Sequence, residues 1–350
     1  MKHLVFMKKP LMLILLTTSI YSQVDYDVFI GELEGTINFY ERQNSGAGSM
    51  IFSAVTGNDN PLDSVYVGSF GNLSGIIPVF VDIDNDGDHD CFIGAGNGTI
   101  YYCKNTGNNT SATFVQQTGD NNPFNGVDVG SKSQPAFVDI DGDGDYDCFI
   151  GEYHATINYY KNNGNSSVPD FDLVTGGGNP LNGATTVYDA DVTFVDIDGD
   201  GDQDCFIGDY YGDILYYKNT GNSSSATFTA QTGGNNPFNG VSVFNYSRLR
   251  FVDIDGDGDQ DCFIGENPGT IEYHKNTGSS SSATFVEQTG GDNPFNGVDV
   301  GGRASPAFVN IDGDAGVTAP STPTGLVATP GNTQVVLTWT ANSEGDLASY

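Results

Sequence analysis

Residues 138–151 read V-D-I-D-G-D-G-D-Y-D-C-F-I-G, and this stretch decides the fold because it recurs. V-D-I-D-N-D-G-D-H-D-C-F-I-G begins at Val81, and V-D-I-D-G-D-G-D-Q-D-C-F-I-G begins at both Val195 and Val252, so intact copies stand 57 residues apart. A decayed fifth copy, V-N-I-D-G-D-A-G, begins at Val309 on the same spacing. A repeat of this length is one supersecondary unit that cannot bury its apolar face alone, so it must stack on its neighbours.

Outward from residue 138, one whole unit spans residues 135–191. It runs P-A-F-V-D-I, the acidic loop, D-C-F-I-G, a turn at Glu152 to Ala155, T-I-N-Y-Y-K, an N-N-G-N-S-S turn, then F-D-L-V before G-N-P-L-N-G. Each unit offers four short strands rich in Val, Ile, Phe, Tyr and Thr, separated by Asn/Gly/Ser turns. Nothing between residues 24 and 310 reads as a long helix. The runs F-V-D-I and C-F-I-G lack alternation of apolar with polar residues, as strands covered on both faces do. A propeller blade sits between two neighbouring blades and meets that condition. The alternative is a β-solenoid, whose coils are generally shorter and poorer in hairpin turns.

The two ends of the repeat region complement each other. The repeat region starts in mid-unit, at D-Y-D-V-F-I-G from Asp25, and its first part supplies the second, third and fourth strands of a unit, while A-F-V-N-I-D from Ala307 supplies only a first. Pairing them closes a ring of five blades and removes an exposed sheet edge. The expected fold is therefore all-β: a five-bladed β-propeller of four-stranded blades. The first unit is longer by six residues, an insertion between Glu41 and Gly75.

The acidic loop has the chemistry of a hard-cation site. Asp139, Asp141, Asp143 and Asp147 occupy positions 1, 3, 5 and 9, with Gly144 at position 6 allowing a sharp bend and Asp145 at position 7 offering its backbone carbonyl. The other loops place Asp82, Asp84, Asp86, Asp88 and Asp90, then Asp196, Asp198, Asp200, Asp202 and Asp204, then Asp253, Asp255, Asp257, Asp259 and Asp261. Calcium, with six to eight oxygen ligands in flexible geometry, is the expected ion, at about four per chain. An EF-hand needs a bidentate Glu at position 12, where this chain has Ile93, Ile150, Ile207 or Ile264 inside a strand. The fifth loop carries Asn310, Asp312 and Asp314, with Ala315 at position 6 and Thr318 at position 9. These changes break the calcium pattern, although Asp27 could complete the cluster.

The motif D-x-D-x-D-G-x-x-D, running into a strand that ends I-G, resembles the FG-GAP and VCBS repeats of integrin-α-like propellers. The resemblance covers roughly residues 24–314. It implies calcium in the hairpin between the first and second strands of a blade, in extracellular adhesion, lectin-like or enzyme-accessory modules. After Gly316 the chain turns to T-P-T-G-L-V-A-T-P-G-N-T-Q-V-V-L-T-W, which resembles the opening of a fibronectin type III domain. Two strands and the start of a third cannot enclose a sandwich core, so the chain reads as a piece of a longer protein.

Lys2, Lys8 and Lys9 precede the apolar run Leu11 to Leu16, and Ser22 stands before Gln23, the pattern of a secretory signal peptide over residues 1–22. A buried core helix is the bland alternative. The expected division is signal peptide 1–22, propeller 23–316 and truncated fibronectin-like start 317–350. The formal charge of −33 argues against nucleic acid and anionic lipid as partners, and no segment is long enough for membrane insertion. Cys91, Cys148, Cys205 and Cys262 are one repeated position, expected as small buried hydrophobes rather than disulfides.

Weaker signals remain. Glu32, Glu152, Asp209 and Glu266 follow the strand glycine and read as solvated turn residues. The Tyr101-Tyr102, Tyr159-Tyr160 and Tyr216-Tyr217 pairs read as blade packing. Arg248 and Arg250 depart from the repeat and read as a surface salt bridge, with ligand recognition as the sharper alternative. The functional expectation is a secreted, non-catalytic, calcium-stabilised module that binds an extracellular glycan or protein. The alternatives are an accessory domain of a secreted hydrolase or lyase and a structural spacer.

Overall fold

The computed structural model describes residues 25–43, 50–65, 67, 75–184 and 186–313, together with the backbone of residues 324–330 and 335–340. The leader-like residues 1–22, most of the insertion before Gly75, and Asp314 lie outside the described residues.

The repeats fold as expected. The chain begins with β1 (Asp27–Gly31), β2 (Ile37–Gln43) and β3 (Ile51–Val55). Three complete sheets follow: β4 (Ile77–Val81), β5 (Asp90–Gly94), β6 (Ile100–Asn105) and β7 (Phe114–Gln117); β8 (Gln134–Val138), β9 (Asp147–Gly151), β10 (Ile157–Asn162) and β11 (Phe171–Val174); and β12 (Asp191–Val195), β13 (Asp204–Gly208), β14 (Ile214–Asn219) and β15 (Phe228–Gln231). A fourth holds β16 (Arg248–Val252), β17 (Asp261–Gly265), β18 (Ile271–Asn276) and β19 (Phe285–Gln288). The last strand, β20 (Ser305–Val309), pairs antiparallel with β1 and completes a sheet ordered β20-β1-β2-β3. First strands touch in a cycle, β4 on β8, β8 on β12, β12 on β16, β16 on β20 and β20 on β4. The fold is a five-bladed β-propeller of four-stranded antiparallel blades.

The core lies between blades. D-C-F-I-G is buried at all five positions in β5, β9, β13 and β17, which explains its unbroken apolar pattern. In one interface Phe92 and Phe124 meet Phe137, Tyr160 and Phe171 of the next blade. The N-P-F-N-G turn supplies the wedge: Phe124 is 1% exposed and stacks on Phe171 with centroids 4.5 Å apart. Asn122 holds that turn, donating from Nδ2 to the Ile100 carbonyl at 3.0 Å and accepting from the Phe124 N–H at 2.9 Å. The terminal glycine of I-G is required by close approach, because a Cβ on Gly151 would stand 1.9 Å from the Ala190 carbonyl oxygen of the next blade. The tyrosine pairs do pack, with Tyr102, Tyr159, Tyr216 and Tyr273 each stacked on the phenylalanine of the neighbouring strand at 4.6 Å. All five cysteines are free and buried.

Beyond the ring, β21 (Thr324–Pro330) and β22 (Val335–Thr340) form an antiparallel hairpin where L-V-A-T and V-V-L-T-W were expected as strands. Two strands establish a hairpin and no more, so the fibronectin-like reading gains nothing further from them.

Candidate metal centres

Each intact acidic loop connects the first strand of a blade to the second. Its shape is set by position 1. In the third loop Asp196 accepts the N–H of Gly199 at 2.8 Å and of Asp200 at 3.2 Å on Oδ1, and the N–H of Gly201 at 3.0 Å on Oδ2. These bonds require left-handed backbone at two places. Gly201 at position 6 has φ +90°, and Gly199 at position 4 has φ +69°. Position 4 was not singled out in the sequence, although Gly recurs there in three loops; in the first, Asn85 adopts φ +55°, which asparagine tolerates.

The loop brings together positions 1, 3 and 5. Carboxylate oxygens of Asp82, Asp84 and Asp86 lie within 4.8 Å of one another, as do those of Asp139, Asp141 and Asp143, of Asp196, Asp198 and Asp200, and of Asp253, Asp255 and Asp257. The four triads can hold metal ions.

Position 7 adds its side chain as well as its backbone. Asp88, Asp145, Asp202 and Asp259 are no more than 9% exposed. Burial first, then the charges of positions 5 and 3, raise these carboxyls above the ordinary aspartate range, to about 6 for Asp145 and Asp259. Their Oδ1 atoms are buried with no hydrogen-bond partner, and so are Oδ1 of Asp84, Asp141 and Asp198 at position 3. Buried polar atoms are rarely left unpaired, and an unpaired buried carboxylate oxygen is costly. The donor set is oxygen only, without imidazole or thiolate, which suits a hard divalent cation.

A lysine from the third strand reaches back into each cluster. Lys104, Lys161, Lys218 and Lys275 form ion pairs with Asp84, Asp141, Asp198 and Asp255. They also approach position 5, at 3.3 Å for Lys104–Asp86 and 3.2 Å for Lys218–Asp200. The hydrogen bond to Asp141 raises Lys161, and that to Asp198 raises Lys218, above the usual lysine range. These lysines were visible as the repeated ending of T-I-Y-Y-C-K and T-I-N-Y-Y-K, but no role followed from sequence because they lie about 20 residues from the loop.

Position 9 faces the blade interior. Asp90, Asp147, Asp204 and Asp261 are at most 1% exposed. In the second loop Asp147 Oδ2 accepts from Tyr159 Oη at 2.8 Å and Oδ1 from the Asn162 N–H at 2.7 Å. Burial pushes these carboxyls up, to about 6 for Asp147 and about 7 for Asp90, Asp204 and Asp261. Their hydrogen bonds to the Tyr hydroxyls tie them to the blade, and the clusters of positions 1, 3 and 5 form without them.

The closing blade is built differently. Asp27 occupies position 9, where burial and then Asp312 raise it to about 7. Asn310 accepts the Gly313 N–H at 2.8 Å, as Asp139 accepts that of Gly142. Phe39 stands where the other blades have tyrosine, and Glu41 where they have lysine.

Two other expectations change. Glu32, Glu152, Asp209 and Glu266 are not solvated. They are at most 9% exposed, and Glu152 accepts the N–H groups of His154 at 2.7 Å and Thr156 at 3.0 Å, closing its own turn. Arg250 is not a surface ion pair either, since it binds Asp191 at 2.9 Å with that side chain 3% exposed, and Arg248 is buried.

Residues 82–150 match a family model described as FG-GAP-like repeat. Comparison with curated proteins finds no match. Among solved structures, one of an Agrocybe aegerita lectin, studied for specific recognition of non-reducing terminal N-acetylglucosamine, is 15% identical, with 83% of this chain and 86% of that one covered and a TM-score of 0.38. Residues 82–150, from the first acidic loop to the second strand of the following blade, are thus similar to an FG-GAP-like repeat within a five-bladed propeller.

Proposed function

We propose that this chain is a secreted, calcium-stabilised propeller that acts as a non-catalytic binding module for an extracellular glycan or protein. The observation that carries the metal part is the set of buried, unpartnered carboxylate oxygens at positions 3 and 7 of the loops. Five aspartates per loop in positions 1 to 9 supply more negative charge than one lysine neutralises, and calcium offsets a further two charges. Positions 1, 3 and 5 would hold the ion, with position 7 beside them and position 9 bracing the loop from the blade. An FG-GAP-like unit supports a binding rather than a catalytic role. Export fits a site of this class, because extracellular calcium modules work at about 0.1–1 mM. On the same reading, residues 1–22 direct export, residues 23–316 form the propeller and residues 317–350 open a fibronectin type III domain.

Calcium titration by calorimetry tests the metal, and a glycan array with the calcium-loaded protein tests the partner. Heat of binding, with one ion fewer bound per chain in D141N/D143N, supports the first reading. An array and a protein pull-down that both stay blank contradict the second.

A further inference from the structure

The end of the inner strands opposite the acidic loops carries a second cluster, made where the repeats differ. One residue per blade stands before each first strand, and these are Gly75, Lys132, Asp189, Tyr246 and Arg303, again 57 residues apart. Lys132, Asp189, Tyr246 and Arg303 share a left-handed φ of +52° to +60°, and Gly75 stands at +140°, so four blades hold one backbone conformation while the side chain changes. A conformation unfavourable for bulky residues, kept at four equivalent places, points to side chains that are presented rather than packed for stability.

These side chains meet across the ring axis. Lys132 lies 4.7 Å from the Tyr246 ring centroid, although their blades are not neighbours, and it pairs with Asp189. The Arg303 guanidinium sits 4.3 Å from the same ring. A Cβ on Gly75 would lie 3.9 Å from a terminal nitrogen of Arg248, which also belongs to a non-neighbouring blade. Arg248 opens its inner strand, is 3% exposed, and has Nε and one terminal nitrogen without a hydrogen-bond partner. Gln134, at the equivalent position of β8, is 1% exposed and leaves Oε1 unpaired.

The charge balance is unusual for this chain. Lys132, Arg248, Arg250 and Arg303 gather around Asp189 and Asp191, with the buried carboxylates of Glu32, Glu152, Asp209 and Glu266 behind them, in a protein of net charge −33. Asp191 is engaged by Arg250, and Asp189 by Lys132 and Gln134. Glu32, Glu152, Asp209 and Glu266, which stand behind this end, are engaged by donors of the neighbouring turns. A buried guanidinium with free donors is matched by a planar or tetrahedral oxyanion, which accepts two parallel N–H bonds.

We infer that this end of the ring axis is an anion site, in which Arg248 receives a compact oxyanion, either the carboxylate of an acidic sugar or a phosphate group. The site is separate from the metal loops, lying at the other end of five-residue strands, roughly 15 Å away. It does not rest on calcium binding, and calcium-loaded protein is used throughout its test so that metal loss cannot imitate loss of the anion.

The test is titration calorimetry at constant ionic strength with inorganic phosphate, glucuronate and, as the neutral control, glucose. Binding of phosphate or glucuronate but not glucose is expected, weakened at least ten-fold in R248Q. Binding of glucuronate alone identifies an acidic sugar as the source, and binding of phosphate alone identifies a phosphate group. If R248Q does not fold, R303Q at the half-buried mouth decides, with a several-fold loss expected. Equal binding of glucose, no binding of either anion, or an affinity unchanged in the folded variant overturns the site.

Discussion

Asp27 lies opposite Val309 across the closing sheet, in the register that places Asp147 opposite Val138 within an ordinary blade. Residues far apart in sequence thus rebuild the same first-to-second strand pair that the acidic loop joins elsewhere. The two ends of the repeat region are one blade, and the ring is closed by hydrogen bonds rather than by a further repeat.

Ending the chain at residue 303 removes β20 and exposes the edge of β1. The expected outcome is loss of the cooperative thermal transition with concentration-dependent association, read by circular dichroism and light scattering. A monomer melting as the full chain does would show that closure contributes nothing.

Without metal, the protein should be more stable at pH 5.5 than at pH 7.5. The position-9 carboxyls are raised to about 6 or 7 by burial, and Asp145 and Asp259 to about 6, from an unfolded value near 3.9. A group raised on folding contributes stability that is complete below its unfolded value and is lost as pH climbs through its folded value. Melting temperatures of chelator-treated protein across pH 5.5–7.5 check the direction. A rise in stability with pH over that window would oppose it.

Tyr159→Phe keeps the ring stacked on Phe149 but withdraws the hydroxyl from Asp147. Leaving that buried oxygen with one partner fewer should cost about 1–3 kcal/mol, measured by denaturant unfolding. A cost near zero would mean that solvent reaches Asp147.

Lys161→Met tests whether lysine and metal share one acidic cluster. Lys161 pairs with Asp141 and Asp143 and is about one third exposed, so its loss should lower metal-free stability by less than about 1 kcal/mol. Calcium affinity of the second loop should rise several-fold, because a competing cation is gone. Weaker binding in the variant would make the lysine a support of the site instead.

Most of the ring was legible in the sequence because its determinants are local and repeated. D-C-F-I-G announced a strand buried on both faces, and the half-units at Asp25 and Ala307 announced closure. Lys161 and Tyr159 escaped because their partners are set by strand register, which sequence spacing does not reveal. Arg248 was noticed as a departure but read as a surface residue, since nothing local marks the ring axis. The buried Glu152 was missed for the same reason, its turn-closing bonds being short range but its cover coming from the next blade.

The most direct measurement is thermal unfolding with calcium and with a chelator, paired with the number of ions bound. At ten times the dissociation constant each site adds about 1.4 kcal/mol, so four triads add about 6 kcal/mol and raise the melting temperature by about 10 °C. About four ions per chain and a shift of that size are predicted. A melting curve unmoved by the chelator, with no calcium bound, would contradict the metal-stabilised propeller.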